Sequence, residues 1–239
     1  MKALELHRWD VTPAEALKIQ LELRKRVELK DRLPELRYVA GADVALDLER
    51  KHAVGGVIVY TFPGLVEVER VAAERGLTFP YVPGLLSFRE SPVLIEAFER
   101  LRHEPDLIFY DGHGYSHPRR FGITCHLGVL LDRPTIGCAK SRLIGTHAEP
   151  ASAAGRWTPL RDGEETIGAV LRTRDSVQPI YVSQGHRVSL ERTVELVLAV
   201  CDGYRVPKPT READHFVEAA KRGSVEESAQ GTLLFGAEE

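Results

Sequence analysis

Residues 107–145 read LIFYDGHGYSHPRRFGITCHLGVLLDRPTIGCAKSRLIG, and this stretch decides the fold. The run from Leu107 to Tyr110 is short and wholly apolar and ends in Asp111, which predicts a strand that is buried on both faces. A second apolar run, PTIGCA at 134–139, predicts a further strand. Strands of this kind are typical of an α/β domain in which helices cover the faces of a sheet.

Upstream of this stretch, three segments rich in β-branched residues are separated by charged residues or by Gly and Pro. They are YVAGADVAL (38–46), AVGGVIVYTF (53–62) and LVEVERVAAE (65–74). This spacing predicts three successive strands that form a meander. Downstream, TIGAVLRT (166–173) and PIYVSQG (179–185) predict two more strands.

Helix starts are marked by a capping residue, in two cases followed directly by proline. The candidate caps are Thr12 with Pro13 and Glu15, Ser91 with Pro92, Ser189, and Thr210. We expect the first helix to run to about residue 31 and the third to cover 189–201. Residues 1–222 should form a single domain, and the small, polar and acidic segment 223–239 should be a flexible tail.

The composition of the 239-residue chain, 43% hydrophobic and 28% charged, is that of a globular protein. Disorder, collagen and coiled coil are excluded. No apolar run approaches the ~20 residues of a membrane span, and the start MKALELHRWD lacks the build of a signal peptide, so we expect a cytoplasmic protein without a membrane partner. Three cysteines with no C-x-x-C pair indicate neither a disulfide framework nor a zinc site.

The segment 111–145 concentrates basic residues and glycines in a chain whose formal net charge is -3. Five Lys or Arg residues in it outnumber two Asp, and six glycines lie among them. Glycine lets a backbone approach a ligand closely, while Arg and Lys complement phosphate. We therefore expect this segment to face an anionic ligand, beside the carboxylate of Asp111.

A carboxylate at the end of a buried strand is costly unless a cation uses its charge. Carboxylates without Cys or clustered His select Mg²⁺ or Mn²⁺. Asp43, Glu90 and Asp214 are the candidates to join Asp111. Taken singly, each has an ordinary interpretation that the residues leave open: a gatekeeper on an edge strand for Asp43, and helix-terminal acids for the other two.

The spacing of the glycines excludes a dinucleotide-binding site and a serine-hydrolase site. The G-x-G of residues 112–114 has no third glycine at the dinucleotide-binding spacing, and GYSHP at 114–118 lacks the final glycine of a nucleophile elbow. The histidines His117 and His126 have no thiolate partners, so zinc ligation is not indicated.

Three motifs together resemble the endonuclease V family, the deoxyinosine 3′ endonucleases of DNA repair. They are GADVALD (41–47), PYVPGLLSFRE (80–90) and the long segment 111–145, in the order and spacing of that family. The resemblance extends to PTREAD (209–214), nearly the whole chain. It implies a ribonuclease H-like fold, a central mixed β-sheet flanked by helices.

The resemblance also implies a metal site and a reaction. Asp43, Asp111 and Glu90 match the family's metal-binding acids, with Asp214 or the adjacent His215 completing the site. Lys140 matches a lysine placed to touch the scissile phosphate or the attacking water. The implied reaction is Mg²⁺-dependent hydrolysis, with Mn²⁺ as a substitute, of the second phosphodiester bond 3′ to deoxyinosine, leaving a 3′-hydroxyl and a 5′-phosphate.

Recognition of the lesion is implied by further positions. Tyr81, between Pro80 and Pro83, resembles the family's wedge, although it is also readable as a loop aromatic packed on the core. Pocket-lining positions are matched by Gly84, Leu86, Gly112, Gly122 and Ile123. DNA contacts are expected from His117, Arg119 and Arg120.

The expected partner is deoxyinosine-containing DNA, double- or single-stranded, bound by a monomer. Two alternatives stay open at the level of sequence. One is an endoribonuclease that acts on inosine in RNA through the same site. The other is a catalytically silent nucleic-acid-binding protein of the same fold, which would not need Asp43, Glu90 and Asp111 together.

Overall fold

A computed structural model describes residues 1–223, 225–227 and 233–235 of the chain. The helices are α1 (Pro13–Leu23), α2 (Leu86–Glu99), α3 (Ile123–Leu131), α4 (Leu190–Ala199) and α5 (Lys208–Lys221). The strands of the main sheet are β1 (Tyr38–Asp47), β2 (His52–Thr61), β3 (Glu67–Gly76), β4 (Leu107–Tyr110), β5 (Thr135–Ala139), β6 (Trp157–Asp162), β7 (Glu165–Leu171) and β8 (Ile180–His186). Two short strands, β9 (Val225–Glu227) and β10 (Leu233–Phe235), pair with each other.

The eight main strands form one mixed sheet in the order β3-β2-β1-β4-β5-β8-β7-β6. The predicted meander is confirmed, because β1, β2 and β3 pair antiparallel in sequence order. β4 then pairs parallel to β1, and β5 pairs parallel to β4. This mixed sheet with flanking helices is the ribonuclease H-like fold that the family resemblance implies.

The central strand β4 is buried on both faces, as its apolar sequence predicts. Leu107 and Phe109 contribute to a core that α4 and α5 cover, while Ile108 and Tyr110 contribute to a core on the opposite face under α2 and α3. Successive residues of a strand point to opposite faces, so four apolar residues in a row supply both cores. Asp111 directly follows the last residue of β4 that is buried.

The first helix begins as predicted but ends early. The Thr12 side chain accepts a hydrogen bond from the Glu15 amide, and the Glu15 carboxylate accepts one from the Thr12 amide, which completes the capping box. The helix stops at Leu23 and a single 3₁₀ turn follows, so the predicted extension to residue 31 is wrong. Residues beyond the turn bond to the end of β8 instead. The Glu28 amide donates to His186 Nδ1, and the Glu28 carbonyl accepts a hydrogen bond from the Arg187 amide at 2.6 Å.

The second helix begins before the predicted cap. α2 starts at Leu86, so Ser91 and Pro92 lie inside it rather than at its N-terminus, and Glu90 is helical. Ser91 is fully buried and its hydroxyl has no hydrogen-bond partner among the described residues, which is the opposite of a capping geometry. Burial of Phe88 and Leu94 on the core outweighs the one backbone hydrogen bond that Pro92 removes.

Ser189 caps α4 as predicted, by accepting from the Arg192 amide, although the helix ends at Ala199. Thr210 does not cap the last helix. α5 starts at Lys208, and the Thr210 hydroxyl donates to the Pro207 carbonyl at 3.2 Å from within the first turn. The flexible tail predicted for residues 223–239 falls for the most part outside the described residues, so it stays a prediction.

Among the described residues, no helix is long and apolar enough to cross a lipid bilayer.

Candidate active site

Three acids from distant parts of the sequence meet at one point of the sheet. Asp43 lies in β1, Asp111 directly follows β4, and Asp214 lies in α5. Each offers an oxygen that lies within 4.8 Å of the others. β1 and β4 are parallel neighbours with Ala42 opposite Tyr110, so the two residues that follow, Asp43 and Asp111, are brought side by side.

The third acid is delivered by a close contact between α5 and the sheet. α5 packs against β1 and β2. A Cβ atom at Gly41 would lie 1.9 Å from the Pro209 carbonyl oxygen, so only glycine allows the helix to come this near. At Gly56, a Cβ would lie 2.5 Å from Val217. These glycines let α5 lie directly on the strands and place Asp214 beside Asp43 and Asp111.

Lys140, which follows β5, is the cation of this cluster. Its Nζ atom lies 2.7 Å from Asp111 Oδ2 and 2.7 Å from Asp214 Oδ2. The predicted contact with a scissile phosphate or water stays a prediction. What the lysine does in this structure is to neutralise two of the three carboxylates.

Burial and the charges of neighbouring carboxylates raise the pKa values of Asp43 and Asp111. The pKa of Asp43 is raised to about 8, first by burial and then by the charge of Asp111, against a hydrogen bond from the Val44 amide. Burial also raises the pKa of Asp111, while Lys140 opposes the shift. Asp43 makes no ion pair within the described part of the chain. Three carboxylate oxygens this close together fit a hard divalent cation, whose charge would stabilise the ionised form of all of them.

Glu90 does not join the three-acid cluster. It lies in α2 and is partly buried, and burial raises its pKa to about 8, with Arg89 opposing and Asp111 adding to the shift. His215 is exposed, and of the two residues considered at this point Asp214 is the one in the cluster.

A pocket of about 180 Å³ opens beside the acids. All five residues predicted for a lesion pocket line it, namely Gly84, Leu86, Gly112, Gly122 and Ile123. Gly112 follows Asp111 directly in the chain, which joins the pocket to the acidic cluster. A Cβ at Gly122 would lie 2.2 Å from the His113 carbonyl oxygen, so the backbone here packs too closely for any side chain. Gly84 has a φ of +76°, in the left-handed region that favours glycine.

The rim of the pocket carries the predicted wedge. Tyr81 lines the pocket, and 70% of its side chain is exposed. Pro80 and Pro83 beside it are exposed as well. Tyr81 is therefore not a core aromatic, and insertion into DNA stays a prediction that this exposure permits.

The histidine and arginines expected to contact DNA are already engaged by partners within the protein. His117 Nε2 lies 3.1 Å from the Gly84 carbonyl oxygen, and the Arg119 Nη2 atom donates to the same oxygen at 2.6 Å. Arg120 is paired with Asp162 at 2.8 Å and Glu165 at 2.7 Å. Burial lowers the pKa of His117 to about 4, so this ring is neutral. The contacts of His117 and Arg119 with Gly84 support the pocket wall, and direct DNA contact by the three residues stays a prediction.

Other bases of the segment that is expected to face phosphate are engaged as well, and that expectation stays a prediction. Arg133 is also paired, with Glu104 at 2.6 Å, and Lys140 is bound to the acids. Within the described residues, Arg142 is the one base of the segment 111–145 that is exposed and without an ion pair. Charge counting along a sequence does not reveal which cations are already neutralised.

Sequence reasoning missed several residues of the pocket wall. Gln20, Ser87 and Leu143 line it, together with His113. Gln20 is 1% exposed and donates to the Gly84 carbonyl at 3.0 Å from α1, a contact across 64 residues that no local motif announces. Ser87 lies inside the PYVPGLLSFRE motif, and His113 and Leu143 lie inside the segment 111–145, so membership of these motifs was the available signal for the three.

Comparison with known proteins decides the family. The family description "Endonuclease V" matches residues 21–215. The chain belongs to the endonuclease V family. It is 49% identical to the endonuclease V of Roseiflexus castenholzii over 214 residues, which cover 90% of this chain and 96% of that protein.

Solved endonuclease V structures share the fold. The crystal structure of the Streptomyces avermitilis protein has a TM-score of 0.87 and 41% identity, covering 90% of this chain and 95% of that one. The Ciona intestinalis endonuclease V, in complex with a 24mer DNA containing an inosine followed by a ribo-adenosine, has a TM-score of 0.77 and 27% identity, covering 88% and 98%. The family membership makes this protein a nuclease, and the resemblance inferred from the sequence is confirmed.

Proposed function

We propose that this protein is a DNA repair endonuclease that recognises deoxyinosine and hydrolyses the second phosphodiester bond on its 3′ side, leaving a 3′-hydroxyl and a 5′-phosphate. The observation that carries the proposal is the direct adjacency of Asp111, in the acidic cluster, and Gly112, in the glycine-lined pocket of about 180 Å³. A base held in the pocket places its own backbone near the acids. The complex of the Ciona protein with inosine-containing DNA supports the choice of lesion.

The proposed cofactor is Mg²⁺, with Mn²⁺ as a substitute. Asp43, Asp111 and Asp214 would hold it, because three carboxylate oxygens within 4.8 Å are the donor set that a hard cation prefers. Glu90, whose pKa burial raises to about 8, matches the acid that closes the family's PYVPGLLSFRE motif and is the proposed additional ligand. When bound, the metal would lower the pKa of the attacking water and neutralise negative charge on the phosphate.

The protein's own groups bind the substrate and stabilise charge. We assign Lys140 to the increased negative charge on the phosphate in the transition state, since its ammonium group lies at the acids and 43% of its side chain is exposed. Tyr81 would fill the space that the extruded base leaves, with Pro80 and Pro83 restricting the backbone of the loop. Pocket, acids and wedge all come from one chain, so the proposed active form is a monomer.

The proposed compartment is the cytoplasm. Cys125, Cys138 and Cys201 are all free thiols, as expected in a reducing environment. Both double- and single-stranded DNA are proposed substrates, because the base enters the pocket only after it has left the stack.

Inosine in RNA is the second candidate substrate. In the Ciona complex the inosine is followed by a ribonucleotide, so that protein accommodates a 2′-hydroxyl beside the lesion. A catalytically silent binding protein is disfavoured, because binding alone gives no reason to hold three mutually repelling acids together.

The experiment that tests the proposal compares matched DNA and RNA strands that differ only in a central inosine or adenosine. With Mg²⁺, we expect cleavage of the deoxyinosine DNA and none of the adenosine controls, and EDTA should abolish it. Faster cleavage of the inosine RNA would assign the protein to RNA. Binding without cleavage of any strand would support the silent binding protein.

A further inference from the structure

A chain of three hydrogen-bonded side chains, one half-buried and two fully buried, runs from the N-terminal segment to the wall of the pocket. His7 Nε2 lies 2.8 Å from His126 Nε2, and His126 Nδ1 lies 3.0 Å from the Ser87 hydroxyl oxygen. His126 is completely buried, and Ser87 is 1% exposed. Ser87 is one of the residues that line the pocket, so the chain ends where a base would be held.

The hydrogen positions along this chain follow from one fixed point. His7 Nδ1 lies 2.7 Å from the Arg8 carbonyl oxygen, and a carbonyl only accepts, so this nitrogen carries the proton. In a neutral ring the other nitrogen, Nε2, is then an acceptor. His126 Nε2 must therefore donate to it, which leaves His126 Nδ1 without a proton. The Ser87 hydroxyl donates its hydrogen to that nitrogen.

Burial favours the neutral form of both rings. It lowers the pKa of His7, and it lowers the pKa of His126 further, with the neighbouring ring adding to the effect. The surroundings are aromatic, with Trp9 4.5 Å from His7 and Phe88 5.2 Å from His126 between ring centroids. No carboxylate in the described residues pairs with either ring.

The direction of the Ser87 hydrogen bond determines what Ser87 can offer to a ligand in the pocket. A hydroxyl has one hydrogen to donate and two lone pairs. Because its hydrogen is committed to His126, the Ser87 oxygen can offer the pocket acceptor capacity only. A ring N–H group satisfies such an oxygen, whereas a ring nitrogen with a lone pair is repelled by it and leaves both groups unpaired.

We propose that Ser87 Oγ is a specificity-determining acceptor for the ring N–H of a lactam base, and that His126 and His7 are positioning residues that fix its orientation. The inference rests on the proposed function. Hypoxanthine carries a hydrogen on N1, and adenine carries a lone pair there, so this acceptor favours the deaminated base over its parent. Xanthine and uracil also present a ring N–H and belong to the same ligand class.

The test measures binding of wild-type protein and variants to duplexes that contain deoxyinosine or 2′-deoxynebularine, whose purine lacks the N1–H. Ca²⁺ replaces Mg²⁺ so that binding is observed without cleavage. Ser87→Ala should weaken binding of the deoxyinosine duplex about threefold to tenfold, the range of one neutral hydrogen bond. It should leave nebularine binding within about twofold, since that base makes no such bond.

Two further variants separate this role from a structural one. Ser91→Ala removes the same atom from a buried serine one turn further along α2, outside the pocket, and should change neither affinity. His7→Phe keeps an aromatic ring but lets His126 take either tautomer, so it should reduce the preference for deoxyinosine over nebularine without weakening nebularine binding.

The outcomes distinguish the two levels of the proposal. Equal losses on both duplexes with Ser87→Ala, or no loss on either, would overturn the assignment of Ser87. An unchanged preference in His7→Phe would overturn the positioning role of the histidines. If the wild-type protein binds the deoxyinosine duplex no better than an undamaged one, the proposed function itself fails.

Discussion

Replacing Asp43 by Asn should make the metal-free protein more stable while removing its activity. The pKa of Asp43 is raised to about 8 from an ordinary value of 3.8, so the folded state prefers the protonated carboxyl. The unfolded chain ionises freely above pH about 4, and the folded protein resists ionisation up to about 8. The free energy of unfolding therefore falls as the pH rises through this window.

The size of the effect follows from the same shift. Each pH unit within the window corresponds to about 1.4 kcal/mol, so between pH 5 and 8 the metal-free protein loses at most about 4 kcal/mol. In a domain of this size that is a decrease in Tm of roughly 8 to 16 °C. Asn resembles the protonated carboxyl and retains an oxygen for the Val44 amide, so the Asp43→Asn variant should escape the Asp43 part of this loss.

The assay is thermal or urea unfolding of both proteins in EDTA from pH 5 to pH 8, repeated with Mg²⁺. We expect the variant to gain stability relative to wild type as the pH rises, and Mg²⁺ to stabilise the wild-type protein more than the variant, because binding to the folded state alone stabilises it. A variant that is no more stable than wild type at pH 8 in EDTA would refute the reasoning. So would equal stabilisation of both by Mg²⁺.

Three further substitutions test the rest of the site. Tyr81→Ala should weaken the affinity for deoxyinosine DNA roughly ten- to hundredfold in gel shifts with Ca²⁺, because a stacking interaction worth ~1 to 3 kcal/mol is lost. The affinity for undamaged DNA should not change. An equal loss of affinity for both would make Tyr81 a general DNA contact. The Tm of the Tyr81→Ala variant should hardly change, because 70% of the Tyr81 side chain is exposed. Lys140→Ala should slow single-turnover cleavage more than it weakens binding, and a raised Kd with an unchanged rate would make it a phosphate anchor only. Gly84→Ala should lower the free energy of unfolding by about 1 to 2 kcal/mol, because alanine is strained in the left-handed region. The new Cβ would lie 2.5 Å from Arg119 Nη2 and displace that side chain. The affinity for deoxyinosine DNA should therefore fall while the Mg²⁺ requirement is unchanged.

The sequence predicted those elements whose pattern has a clear period or cap. The three strands of the meander and the buried strand β4 follow from β-branched and apolar runs. α3 was missed because all nine of its residues are buried, so no polar face marks a helical period. β6 was missed because it is largely exposed and contains Pro159, a residue confined to sheet edges.

The acids were found because carboxylates inside or directly after apolar strands need a partner. That argument identifies Asp43 and Asp111 from local sequence alone. It does not show that Asp214 is in the cluster and Glu90 outside it, because this depends on how closely α5 lies on the sheet at Gly41. The side-chain partners of Arg119 and Arg120 lie 99 and 45 residues away in the sequence, so no local rule reveals that these arginines are engaged.

The central claim is that the acidic cluster and the adjoining pocket make one lesion-directed, metal-dependent nuclease. The most direct test maps the cut on an end-labelled strand with a single deoxyinosine, in Mg²⁺ and in EDTA, for the wild-type protein and Asp111→Ala. We predict one cut at the second phosphodiester bond 3′ to the lesion, with a 3′-hydroxyl, in Mg²⁺ only, and a loss of several orders of magnitude in the variant. Cutting that is independent of the deoxyinosine, that persists in EDTA, or that survives in a folded Asp111→Ala protein would contradict the account.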